Sequence, residues 1–112
     1  MAMQTEGERE IDDPSIQLHC KLFGSCPVQG EGTVMGKRLY FRARWDAWSF
    51  AVAESDDVHP ANVQLADQGF LREGSFGEPN QYEASWMPCD DAEAIIRRCA
   101  REYVASTHDV RA

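Results

Sequence analysis

No apolar run in the chain is long enough to cross a bilayer. The opening stretch MAMQTEGERE lacks the charged-then-apolar pattern of a secretory signal. A cytoplasmic protein with no membrane contact is therefore the expectation. There is no phosphate loop, dinucleotide fingerprint, nucleophile elbow or zinc-protease helix. That lowers the expectation of an enzyme, names no catalytic residue and implies no cofactor. The four cysteines form no C-x2-C knuckle, the usual way two thiolates reach one zinc ion. In a reducing cytosol they predict four free thiols and no metal site. Cys89 is the best nucleophile candidate because it precedes a predicted helix. Asp90 and Asp91 beside it oppose thiolate formation, so a packed thiol is the reading adopted.

What is present fits one domain. The 112 residues are 43% hydrophobic, enough for a modest single core. Net charge is −8, which disfavours free nucleic acid as a partner. The charge is unevenly placed. Lys37, Arg38, Arg42 and Arg44 give residues 37–45 a net +4 with no acid, between segments of −4 (1–13) and −6 (46–80). A basic stripe runs through an acidic body.

That stripe lies on the most legible part of the chain, Arg38 to Val52. It alternates like two strands joined at a two-residue turn at Asp46-Ala47. Such a turn pairs Trp45 with Trp48, Ala43 with Phe50 and Phe41 with Val52. These residues and Leu39 then share a core face. Arg38, Tyr40, Arg42 and Arg44 share the other face, and they are the candidate binding residues. Upstream, Pro27 to Val34 reads as a strand turned at Met35-Gly36, where glycine takes positive φ cheaply. This pairs Val28 with Ala43, Gly30 with Phe41 and Gly32 with Leu39, making a meander over residues 27–54.

Residues 1–13 read as a flexible acidic tail. Asp13-Pro14 and Gly24 carry start and stop signals for a short helix over Pro14–Phe23. The alternation of Ile16, Leu18, Cys20 and Leu22 also fits a strand. Residues 54–80 read as a long loop, with a helical turn or strand at Asn62–Asp67. Gln81–Trp86 alternates like a fourth strand. From Asp90 to Ser106 the apolar residues recur at helical spacing, with Asp90 and Glu93 spaced as a capping box. This helix is expected across the apolar face, with residues 107–112 frayed. The fold class is thus α+β: a three- to four-stranded, mainly antiparallel sheet, a C-terminal amphipathic helix on one face and a short N-terminal helix, with residues 14–106 as the single domain.

The segments Gly32-Thr33-Val34-x-Gly36, Tyr40-Phe41-Arg42-Ala43-Arg44 and Trp48-Ser49-Phe50 resemble a pattern in small hypothetical proteins of bacteria and their phages. So does Trp86-Met87-Pro88 followed by the helix containing Ile-Ile-Arg-Arg-Cys-Ala. The likeness covers about residues 26–104 and implies a shared fold without an activity. Size, acidity and this resemblance favour a non-enzymatic protein-binding module, such as an accessory or inhibitory factor of a phage or mobile element directed against a nucleic-acid-targeting defence system. The partner is another protein, and homo-oligomers stay open. The alternatives are a small enzyme or anionic-ligand domain using loop 54–80 with Arg42 and Arg44, and a single-stranded nucleic-acid binder. The last is opposed by Trp45, Trp48, Phe41 and Phe50 being placed in the core, away from the arginines.

Overall fold

A computed structural model describes residues 9–24, 28–54, 59, 69–77 and 83–111, the last five as backbone only. Six strands form one antiparallel sheet in sequence order: β1 (Arg9–Asp13), β2 (Leu18–Phe23), β3 (Val28–Val34), β4 (Lys37–Arg44), β5 (Ala47–Ala53) and β6 (Gly69–Ser75). One helix, α1 (Cys89–Arg111), covers one face. The architecture is α+β with an antiparallel sheet and a C-terminal helix. No helix among the described residues is long and apolar enough to cross a membrane.

The core lies between sheet and helix. Leu18, Leu22, Leu39, Phe41, Phe50 and Val52 point inward from the strands, and Ala92, Ile96, Cys99, Ala100 and Tyr103 point down from α1. Full burial of a ring such as Phe41 or Phe50 contributes about 1.5–3 kcal/mol of transfer free energy. Gly30 sets the helix height. A Cβ there would stand 3.3 Å from Ile96 Cδ1 and 3.2 Å from Cys20 Sγ, so the bare backbone lets α1 settle on β3. Gly74 on β6 makes room for Trp48 of β5, whose ring would stand 2.6 Å from a Cβ there.

The β3–β4 hairpin follows the expected register throughout, including Gly30 opposite Phe41 and the Met35-Gly36 turn. The β4–β5 hairpin does not. It turns at Trp45-Asp46, so Ala43 faces Trp48, Phe41 faces Phe50 and Leu39 faces Val52. Moving the turn by one residue shifts the pairing by two, and two residues is one full side-chain period. The inward and outward sets therefore survive. Trp45 leaves the strand and stands 60% exposed, whereas Trp48 stays buried against Phe41.

Other expectations are corrected. Among the described residues the sheet has six strands, not three or four, and no α-helix forms over Pro14–Phe23. Asp13 does cap: its Oδ1 accepts from Ser15 N at 3.2 Å and Ser15 Oγ at 2.6 Å. The cap opens only a 3-10 turn, Pro14–Ile16, which left-handed Gln17 ends. Leu18–Phe23 then becomes β2 because it has a strand on either side to pair with. Arg9–Asp13, assigned to the acidic tail, is β1. Gly69–Ser75, assigned to a loop, is β6. Asn62–Asp67 falls outside the described residues. Glu83–Trp86 is a 3-10 turn, not a strand. The helix runs past Ser106 to Arg111. Ala92 N–H donates to Pro88 O, so Asp90 lies within the first turn instead of capping it.

Candidate functional site

All four expected binding residues lie on the sheet face turned away from α1. Alternation along β4 buries Leu39, Phe41 and Ala43 and sends Arg38, Tyr40, Arg42 and Arg44 outward. The Tyr40 hydroxyl donates to Gln29 Oε1 at 2.8 Å, and its ring meets His59 edge-on at 6.3 Å. Arg42 is half-buried between Gln29 and Ser49 in the strand register. Among the described residues no carboxylate pairs with Arg42 or Arg44. The structure thus keeps the basic stripe together on one face. Beside it, the outward-facing Ala51 and Ala53 are buried, with Leu71 packed against them.

The stripe ends on a feature the sequence reading placed in the core. Arg44 holds its guanidinium 4.5 Å above the Trp45 ring. Trp45 has φ 59°, a conformation uncommon for a bulky residue. Three bonds from outside the hairpin hold this turn. Trp45 N–H donates to Ser85 Oγ at 2.7 Å, Ala84 N–H to Trp45 O at 2.8 Å, and Phe76 N–H to Asp46 O at 2.9 Å. The first two bring the 83–86 turn against the hairpin end, and that turn carries Trp86, 65% exposed. Two exposed indoles and an arginine therefore sit on neighbouring backbone segments. The signal in the sequence was Asp46 as a turn residue, which stands second in the turn and not first. The tertiary bonds that select it were not visible there.

A second feature is an open cleft of about 370 Å³ on the outer side of β1–β3. It is lined by Glu10, Asp12, His19, Lys21 and Glu31, with Ile11 and Cys20 between them along β1 and β2. His19 Nδ1 lies 2.5 Å from Asp12 Oδ1, an exposed cross-strand pair. No group of three or more metal-ligating side chains gathers among the described residues. Cys20, Cys89 and Cys99 are free thiols, and Cys26 falls outside the described residues. Burial pushes the Cys20 thiol up to about 12 and the Cys99 thiol to about 11, so both stay protonated at neutral pH.

The helix is fastened to β1 by a charge network. Arg9 bonds Asp90 at 2.7 Å and Glu93 at 3.0 Å, Arg97 bonds Glu93 at 2.8 Å, and Arg101 bonds Asp13 at 2.8 Å. Hydrogen bonds from Ser15, helped by the charges of Arg101 and Arg97, outweigh burial and hold the Asp13 carboxyl below its ordinary value. Burial pushes Glu93 up, but hydrogen bonds from Arg97 and Arg9 outweigh it and leave the carboxyl lowered. These residues fasten α1 to β1.

Compared with family models, with curated proteins and with solved structures, the chain matches none.

Proposed function

We propose that the protein is a non-enzymatic protein-binding module whose docking surface is centred on Trp45 and Trp86. One observation carries this reading: two tryptophans, 60% and 65% exposed, stand on segments bonded directly to each other. Interface energy concentrates in tryptophan, tyrosine and arginine, and well-ordered anchors lose little entropy on binding. Arg44 joins the indole pair to the outward face, where Arg42, Tyr40 and Arg38 extend the surface. The left-handed Trp45 adds weight, because residues held in sparsely populated conformations cluster at functional positions. The net charge of −8 suits a partner with a cationic surface. A concrete version is an accessory or inhibitory factor that occupies a nucleic-acid channel of such a partner.

The test is a comparative capture. Wild-type protein and Trp45→Ala/Trp86→Ala are immobilised in parallel and exposed to the same lysate at low and physiological salt. Proteins retained by the wild type and lost by the double variant support the reading. Identical retention by both removes it.

A second reading has its own observation: Arg42 and Arg44 lack a carboxylate partner among the described residues. An anionic small molecule held by these guanidiniums would raise the melting temperature in a screen of anionic metabolites, and would lose that effect in Arg42→Ala.

A further inference from the structure

The chain has three tryptophans, and two of them carry one of its own guanidinium groups. Arg44 stands 4.5 Å from the Trp45 ring centroid and Arg98 stands 5.8 Å from that of Trp48. No cation of the described residues lies over Trp86, although it is the most exposed of the three at 65%. The charged residues nearest to it along the sequence are acids. From Glu83 to Glu93 there are four carboxylates and no lysine or arginine. Arg9 occupies two of these, Asp90 and Glu93. Asp91, in the first turn of α1, is exposed and has no ion-pair partner among the described residues.

We infer that Trp86, backed by Asp91, seats an arginine side chain from a basic segment of a partner protein. This rests on the docking reading above and names the partner's chemistry at that surface. The chemistry follows from the groups present. A guanidinium is planar and weakly hydrated, so it stacks on an indole while its N–H fork donates to a carboxylate. Lysine offers only a compact, strongly hydrated charge. The acidic body attracts such a segment from a distance. It repels the competing occupants: nucleic acid and an anionic membrane present like charge, and a second copy of this chain brings the same net −8. Trp45 already has its cation in place, so the incoming side chain goes to the neighbouring ring.

The test uses the full chain and a fluorescein-labelled Arg-Gly repeat peptide, with Lys-Gly and Glu-Gly repeats for comparison. Fluorescence anisotropy is read for the wild type, Trp86→Leu and Asp91→Asn. The leucine variant keeps net charge and an apolar side chain, and an unchanged thermal melt shows it folded. The expected result is saturable binding of the Arg-Gly peptide, weaker binding of Lys-Gly, and a loss of about fivefold or more in Trp86→Leu. Asp91→Asn weakens binding less. In the wild type, the indole N–H resonance of Trp86 shifts on titration while that of Trp48 stays. Equal affinity of wild type and Trp86→Leu overturns the inference, because charge alone then explains binding. Equal binding of the Glu-Gly peptide overturns it as well. If the Arg-Gly peptide fails to bind while the double tryptophan variant still loses a lysate protein, the arginine seat is wrong and the docking reading stands. If the peptide binds through Trp86 and no lysate protein depends on the tryptophans, the docking reading fails and the seat stands.

Discussion

Trp45 N–H donates to Ser85 Oγ at 2.7 Å, joining residues forty positions apart. Ser85 is buried at 3% exposure, and its hydroxyl satisfies a backbone donor in a left-handed turn. This bond couples the β4–β5 hairpin to the segment that carries Trp86. The docking surface therefore depends on a residue that takes no part in it.

Ser85→Ala should lower the unfolding free energy by about 0.5–1.5 kcal/mol, the net worth of one partly buried hydrogen bond. Chemical denaturation measures this. The same variant should weaken partner capture although both tryptophans remain.

Trp45→Gly separates strain from contact. Glycine adopts φ 59° at little cost, so stability should change by only about 1 kcal/mol or less. Capture should still be lost. A variant that kept its partner would show that Trp45 is not an anchor.

Phe50→Ala should destabilise by about 3–5 kcal/mol, because Phe50 has no exposure and lies between β4, β6 and α1. The value is read from a denaturant midpoint at constant m.

The charge network predicts acid sensitivity. Asp13 and Glu93 are both lowered from ordinary values of 3.8 and 4.5. Their contribution is fully present above those values and is lost as pH falls through the lower folded ones. Unfolding free energy should thus decline below about pH 4.5. Acid also relieves the repulsion within a chain of charge −8, which works the other way. Comparison with Asp13→Asn isolates the first effect: its profile should be flatter over the same interval.

Thiol titration checks the burial pattern. With Cys26 replaced by serine, a disulfide reagent at pH 8 should modify one thiol quickly, that of half-buried Cys89. Cys20 and Cys99, pushed up to about 12 and about 11, should react only on unfolding.

The parts legible in the sequence were those whose signals are local. Met35-Gly36 fixed one hairpin because glycine chemistry and strand alternation agreed. The spacing of Ala92, Ile96, Cys99 and Tyr103 gave α1 for the same reason. The edges of the sheet were not legible. β1 contributes one fully buried aliphatic, Ile11, and β6 is too exposed for its pattern to alternate. β2 carried strand alternation under stronger helix-cap signals, and pairing with β1 and β3 decided between them. Of the candidate site, the four outward residues of β4 were readable from parity alone. Trp45 was not, because the bonds that place its turn come from Phe76, Ala84 and Ser85. Its exposure beside Arg44 also removes part of the sequence argument against a stacking surface. The net charge of −8 still disfavours nucleic acid as a partner.

The most direct test of the account takes a partner recovered by the wild-type protein and measures its affinity for two variants side by side. The account predicts that Trp45→Ala/Trp86→Ala loses about tenfold or more, while Arg38→Ala/Arg42→Ala loses distinctly less. Full affinity in the tryptophan variant, with the loss confined to the arginine variant, would contradict it.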